Sequence, residues 1–391
     1  MTRSSPEALL GGLSHEEFLH EYWQKKPLLV RGAFPSFESP ISPEDLAGLA
    51  LEEEAESRII IERGGSKPWE LRHGPFEEED FAALPETHWT LLVQEVDQWV
   101  PDIADLLEHF RFLPRWRIDD VMVSYAPDGG NVGAHIDNYD VFLLQAAGKR
   151  EWRIASQPVH QEELVSGLDV RVLANFEADQ TWILEPGDML YLPPRIPHHG
   201  IAVGECMTFS IGFRAPSHAE VIATILGAAL DEADIETLYA DPDMEPAEHP
   251  ALIGPDAVVR IRRILDSQLT DAKLLRWFGE LVTEPKRGEF VIPADEKWSV
   301  EALREAVVSG AALDRVDPNR FAFAPLDDGS ALLFAHGEAI EVDRQIAQVA
   351  PLISGDDPLD AHTLADFLQD EAFAKLLARL VNDGHLIIDD H

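Results

Sequence analysis

Residues 130–154 read GNVGAHIDNYDVFLLQAAGKREWRI, with a histidine and an aspartate two positions apart at the head of a long apolar run. On an extended segment side chains alternate, so His135, Asp137 and Tyr139 are expected on one face and Ile136 and Asn138 on the other. An inward His-x-Asp pair on a small barrel supplies two of the three ligands of a two-histidine, one-carboxylate triad. That triad leaves three adjacent positions open on Fe(II) for a chelating co-substrate and oxygen. Alone the tripeptide is weak, because polar residues on the wet face of a strand are the commoner occurrence.

A third ligand is sought downstream, in GDMLYLPPRIPHHGIAV at 187–203. Only one of two adjacent histidines can face inward on an extended segment. His198, directly after Pro197, is the expected one, with His199 the alternative. Arg150, in GKREWRI, offers the bidentate fork that the far carboxylate of a 2-oxo acid co-substrate needs. Inward polar positions on neighbouring strands, Ser124 and Thr208, either bond that same carboxylate or are satisfied within the core.

The chain has 391 residues, of which 45% are hydrophobic, enough for two or three domains with cores of their own. It contains 72 acidic against 31 basic residues, only eight of the latter lysine, for a net charge of −41. Such a surface repels phosphate backbones and argues against direct DNA binding. It suits either a salty cytoplasm or a basic partner. No apolar run reaches the roughly 18 residues of a membrane span. The N-terminal stretch lacks the apolar core of a signal peptide, and Cys206 is the single cysteine, so a cytoplasmic protein without a disulfide framework is expected.

Early helical and strand signals, with a helix start at Ser14, give way over about 115–215 to short β-like runs punctuated by Gly, Pro, Asp and Asn. DDVMVSYA, YDVFLLQAA, REWRIAS, QTWILEPGDMLYLPP and ECMTFSIGFRA are these runs, with a turn at Pro186-Gly187. Residues 217 to about 283 carry apolar stripes at helical period. The remainder combines helices with a hairpin turning at Asp328-Gly329 and a final strand-like GHLIID, an order compatible with a winged helix that contacts protein.

Several blocks together resemble one family. FLHEYWQKKPLLVRGAF, WTLLVQEVDQWVP, FRFLPRWRIDDVMVSYA, GAHIDNYDVFLLQAAGKREWRI, GDMLYLPPRIPHHGIA and SIGFRAPS look like the blocks of the bacterial ribosomal oxygenases, in the same order. These are JmjC-type arginine hydroxylases of the cupin superfamily. The chain departs from them in carrying His-His at 198–199, where relatives usually carry His-Glu. The resemblance implies an α+β protein with a double-stranded β-helix (cupin/JmjC) barrel over 1–216, a helical dimerisation domain over 217–285 and a winged-helix domain over 286–391. It also implies an Fe(II)- and 2-oxoglutarate-dependent dioxygenase, acting with O2 on an arginine of large-subunit ribosomal protein sixteen, and a homodimer that binds neither DNA nor membrane. His135, Asp137 and His198 match the family's iron ligands and Arg150 its 2-oxoglutarate cation. A cationic substrate then calls for an acidic partner, for which Asp128 is the candidate, and Tyr139 is placed to wall the substrate channel. A histidyl hydroxylase or demethylase of the same fold, a non-catalytic cupin scaffold, and a cupin isomerase or zinc enzyme are the competing readings.

Overall fold

The computed structural model describes residues 9–65, 68–246, 248–286, 291–316 and 319–389. The chain divides into two compact units, Met1–Ala215 and Pro216–His391. In the first, helix α1 (His15–Glu21) starts where Ser14 and Glu17 cap one another reciprocally, as the sequence suggests. Nine strands of the described residues then build one antiparallel sheet: β1 (Leu28–Val30), β2 (Ser57–Glu62), β3 (Trp69–His73), β4 (Trp89–Val93), β5 (Ile118–Ala126), β6 (Asp140–Ile154), β7 (Gln180–Leu184), β8 (Met189–Leu192) and β9 (His198–Phe213). Their order is β1-β8-β6-β9-β5-β4-β2-β3, with β7 pairing the end of β6 that β8 leaves open.

β6 and β9 pair along their whole length, from Asp140 opposite Phe213 to Ile154 opposite His198. Both faces of β6 are covered. Phe142, Leu144 and Ala146 enter a large core with Phe18 and Phe110, whereas Val141, Leu143, Trp152 and Ile154 meet Leu184, Leu190 and Leu192. That two-sided burial is why β6 reads as an unbroken apolar run and not as an alternation.

The register slips between Gln145 and Ala147, and again between Gly148 and Lys149. One extra residue in β6 exchanges the faces of everything that follows it. Val141 and Leu143 before the slip and Arg150 and Trp152 after it consequently line the same cavity. Gly148 sits in the slip with φ +60°, and a Cβ there would overlap the carbonyl oxygen of Glu205. Only glycine meets both demands.

The segment carrying His135 and Asp137 is not the strand expected from its alternation. Residues 131–139 run as a loop pinned by a single isolated bridge between His135 and His198. Further bonds hold it: Asn131 Oδ1 accepts from the Gly133 N–H within the loop, while the Asp137 carbonyl accepts from the Arg195 N–H and the Ala134 carbonyl from the Leu173 N–H, both distant in sequence. The ladder resumes only at Asp140. That carboxylate is fully buried and accepts from Tyr191 Oη at 2.6 Å, Gln24 Nε2 at 2.9 Å and Arg117 Nη2 at 3.0 Å. These bonds tie the α1 region to the first residue of β6.

In the second unit, helices α2 (His218–Asp231), α3 (Pro255–Gln268) and α4 (Asp271–Thr283) are followed by α5 (Val300–Val308). Strand β10 (Ala312–Arg315) pairs with the closing strand β14 (Leu386–Asp389). Between them lie a meander of β11 (Phe321–Pro325), β12 (Ala331–Ala335) and β13 (Glu338–Val342), turning at Asp328-Gly329, and helix α6 (Glu371–Asn382). A separate core of Leu303, Phe321, Leu333, Phe373 and Leu377 holds this unit together. Among the described residues, no helix is long and apolar enough to cross a membrane.

Replacing Asp140 with alanine leaves the Arg117 guanidinium and the Tyr191 hydroxyl without their buried acceptor. The expected loss is about 3–5 kcal/mol of unfolding free energy, the range for breaking a buried pair from one side. Urea unfolding of Asp140→Ala beside the wild-type protein measures it, and a loss under about 1 kcal/mol, the range of an exposed pair, contradicts the anchoring role.

Candidate metal centre and its cavity

Among the described residues, one set of metal-ligating side chains converges. His135, Asp137 and His198 each offer a ligand atom, and these lie within 4.8 Å of one another. The backbone builds this geometry. His135 N–H donates to the His198 carbonyl at 3.0 Å, and His198 N–H returns the bond to His135 at 2.9 Å. The two rings end 4.2 Å apart between centroids. Each ring's Nδ1 is 2.9 Å from a backbone carbonyl, of Gly133 for His135 and of Ile196 for His198. A proton held on Nδ1 leaves the Nε2 lone pair for a metal. His198 Nε2 lies 3.5 Å from Asp137 Oδ2. Burial, reinforced by the neighbouring His135, pushes His198 down to about 4, so it is neutral near pH 7.

Adjacent on β9, His199 turns away from the triad, with Nε2 3.0 Å from Asn131 Oδ1. It too is pushed down to about 4, by burial first and then by Arg153. The alternation on an extended segment thus separates the two histidines as expected.

The triad opens onto a cavity of about 340 Å³. Arg150 stands in its wall, only 4% exposed, and its Nε and Nη2 have no hydrogen-bond partner within the protein. A buried guanidinium with unpaired nitrogens is costly, and both of these stand in the cavity wall with their hydrogen-bonding capacity unused. Trp152, with Arg150 5.8 Å from its ring, and the side chains of Val141 and Leu143 keep that end of the cavity apolar. Ser124 and Thr208 line the same cavity and are buried, but their hydroxyls are engaged within the protein. Ser124 Oγ donates to the Thr208 carbonyl at 3.3 Å and Thr208 Oγ1 to Gln145 Oε1 at 3.2 Å.

Tyr139 stands on the cavity wall, 40% exposed, and its phenol is pushed well above its ordinary range by the Asp137 charge first and then by burial. Asp128 is not among the lining residues. Its exposed side chain accepts from the Gly204 N–H at 2.8 Å and so closes a turn outside the cavity. The acidic groups that do line the cavity beside Asp137 are Asp120 and Asp169, of which Asp120 is buried. Sequence reading passed over Asp120, although it lies in step with Met122 and Ser124 on β5, and all three face the cavity. Arg58, also lining, carries no signal, because its strand meets the site only through the sheet order, whereas Ser210 lies in step with Thr208 on β9 and is reached by following that phase.

Comparison with known proteins places this geometry. Residues 105–221 match the JmjC domain, and residues 264–387 match the ROXA-like winged helix. The chain is 36% identical over 374 residues to the ribosomal protein uL16 3-hydroxylase of Escherichia coli, covering 95% of this chain and 97% of that one. A probable ribosomal oxygenase of Haemophilus influenzae is 37% identical over 60% of this chain and 56% of its own length. The X-ray structure of E. coli YcfD superposes with a TM-score of 0.85 at 35% identity, over 96% of this chain and 98% of that one. The same ribosomal oxygenase in complex with cobalt and 2-oxoglutarate gives a TM-score of 0.82 over the same shares. The chain belongs to the bacterial ribosomal oxygenases, with a JmjC domain followed by a ROXA-like winged helix.

Proposed function

We propose that this chain is an Fe(II)- and 2-oxoglutarate-dependent oxygenase that hydroxylates an arginine side chain of large-subunit ribosomal protein uL16. The observation that carries the reading is the buried Arg150 guanidinium, two of its nitrogens unpaired, in the wall of the cavity that His135, Asp137 and His198 share. The residues fit both groups. His135 Nε2, His198 Nε2 and the Asp137 carboxylate would hold iron on one face, and Arg150 would receive the far carboxylate of 2-oxoglutarate with a bidentate fork. When bound, iron and 2-oxoglutarate supply the means to insert one atom of O2 into an unactivated C–H bond.

The protein's own share is positioning and exclusion of water. The carbonyls of Gly133 and Ile196 fix the tautomer and tilt of the two imidazoles. Trp152, Val141 and Leu143 dry the co-substrate end, and Ser124 and Thr208 border the same carboxylate position. Asp120, whose Oδ2 also accepts from the Glu95 N–H at 3.1 Å, and not Asp128 is the buried carboxylate facing a cationic substrate, and Tyr139 walls the approach with its ring. A net charge of −41 attracts a basic ribosomal protein and disfavours DNA, so the winged helix is read as a protein-contact module of a cytoplasmic enzyme.

A homodimer belongs to the same reading. Val258, Val259, Ile261, Ile264 and Leu265 on α3 are all exposed, as are Ile222, Leu226 and Leu230 on α2. So many apolar side chains over two helices suit a second copy of the chain. Sedimentation should return twice the chain mass, and Ile261→Glu should shift it toward the monomer. A monomeric wild-type protein at micromolar concentration ends that part of the proposal.

Turnover is tested with uL16 peptides and mass spectrometry. One added oxygen on an arginine is the expected product, and oxidation of a histidine alone overturns the choice of residue. His135→Ala and His198→Ala should each abolish turnover while His199→Ala retains most of it. Arg150→Ala should raise the KM for 2-oxoglutarate roughly 100-fold, from the roughly 2–5 kcal/mol that a desolvated charge pair carries.

His199 also gives a pH signature in the metal-free protein. Its folded value of about 4 lies below the 6.5 of an unperturbed imidazole, so the unfolded chain takes up the proton first. The stability it confers is complete above about pH 6.5 and is lost as pH falls toward 4. The stability difference between wild type and His199→Gln should shrink from pH 7.5 to pH 5. A constant difference across that range contradicts the assignment.

A further inference from the structure

Arg195 lies three residues before His198 and has φ +70°, a left-handed conformation that is costly for any residue but glycine. Its surroundings explain why the conformation persists. Its backbone N–H donates to the Asp137 carbonyl at 2.7 Å, and its carbonyl accepts from the Val159 N–H at 2.9 Å. The guanidinium adds three bonds, from Nε to the Val159 carbonyl at 2.8 Å and from Nη1 to Asn138 Oδ1 at 2.8 Å and Glu162 Oε1 at 2.7 Å. Glu162 in turn accepts from Arg171 Nη2 at 2.6 Å, and Arg171, with Asp169 and Val170, lines the cavity. Arg171 first and then Arg195 hold the Glu162 carboxyl below its ordinary range.

One side chain therefore joins three segments that are distant in sequence. These are the loop bearing the carboxylate ligand Asp137, the turn leading to the ligand His198, and the connection between β6 and β7 at residues 155–179. That connection also touches the metal loop on its other flank, where Leu173 N–H donates to the Ala134 carbonyl at 2.8 Å. There Gly133 lies so close beneath Val172 that a Cβ would come within 2.7 Å of it. The flank at Ala134 is held without Arg195, by the Leu173 backbone and the Val172 side chain, whereas the flank at Val159–Glu162 is bonded to Arg195.

We infer that Arg195 is a positioning residue that seats the 155–179 connection against the metal loop, so that Asp169, Val170 and Arg171 form a fixed outer wall for the protein substrate. The inference rests on the hydroxylase reading for what the wall contacts, but the seating itself does not. Arg195→Gly is the informative variant, since glycine adopts the left-handed backbone freely and keeps the bonds to Asp137 and Val159 while deleting the guanidinium. Glu162→Gln is the second, weakening only the link onward to Arg171.

Hydrogen exchange on the protein without substrate reads the seating directly. In Arg195→Gly, amides of Val159 to Val165 should exchange about tenfold faster while those of β6 and β9 do not change, the pattern of local opening without global unfolding. In steady-state turnover, the KM for a uL16 peptide should rise about tenfold in Arg195→Gly, with the KM for 2-oxoglutarate within about twofold of wild type, because the wall and not the co-substrate end is loosened. Glu162→Gln should shift both readouts in the same direction by less. Unchanged exchange at Val159–Val165 overturns the clamp. Faster exchange with an unchanged peptide KM, or an equal rise in both KM values, overturns its role in seating substrate. A wild-type protein that turns over no ribosomal peptide refutes the hydroxylase reading instead, and exchange alone then decides the clamp.

Discussion

The site depends on how His198 is held. As the first residue of β9 it is paired on one side with Ile154, the last residue of β6, and on the other by two reciprocal backbone bonds with His135. A loop residue is thereby fastened to the end of the long antiparallel pair of β6 and β9. Without that bridge the His-x-Asp loop has no ladder of its own, and its bonds from Arg195 to Asp137 and from Leu173 to Ala134 flank the two histidines without joining them directly. The carbonyls of Gly133 and Ile196 complete the arrangement by committing each Nδ1, so that both Nε2 atoms are left toward one point.

The second constraint is the slip in β6. An uninterrupted strand would send Arg150 to the face of Phe142 and Leu144, into the apolar core, where a guanidinium without a partner is intolerable. The extra residue, Ala146, turns it instead toward the cavity that Val141 and Leu143 already line. The same strand therefore delivers apolar walls from its first half and a buried, partly unpaired guanidinium from its second. Gly148 stands at the second slip, where β9 carries the extra residues Gly204 and Glu205 and a side chain on β6 would meet its backbone.

Acidic and basic side chains divide among three tasks. Asp140 is buried with Arg117, Gln24 and Tyr191 and serves assembly, joining the N-terminal helix region to β6. Glu162, shared by Arg171 and Arg195, ties surface connections to the metal loop. Asp120 and Asp137 face the cavity. The first two tasks are invisible in a linear reading because each partner lies far along the chain, and Asp120 went unnoticed for a different reason. It stood in a strand whose inward phase had already been assigned through Ser124, and following that phase backward leads to it. Asp128 was chosen for closeness in sequence to His135, but the turn at Gly129 carries it outside, where Gly204 occupies its carboxylate.

By itself the sequence determined the kind of fold and singled out His135, Asp137, His198 and Arg150, which the structure brings to one cavity. Residue type and period carry these: short apolar runs broken by turn residues, a His-x-Asp pair with a later Pro-His, and an arginine amid apolar neighbours. It also separated His198 from His199, because adjacent side chains on an extended segment oppose one another whatever surrounds them. Only the tertiary structure decided that the His-x-Asp segment is a loop, that β6 changes phase before Arg150, that Asp120 and not Asp128 faces the cavity, and that Arg195 binds three segments together. Each of these turns on hydrogen bonds between residues distant in sequence, whose register local periodicity does not encode.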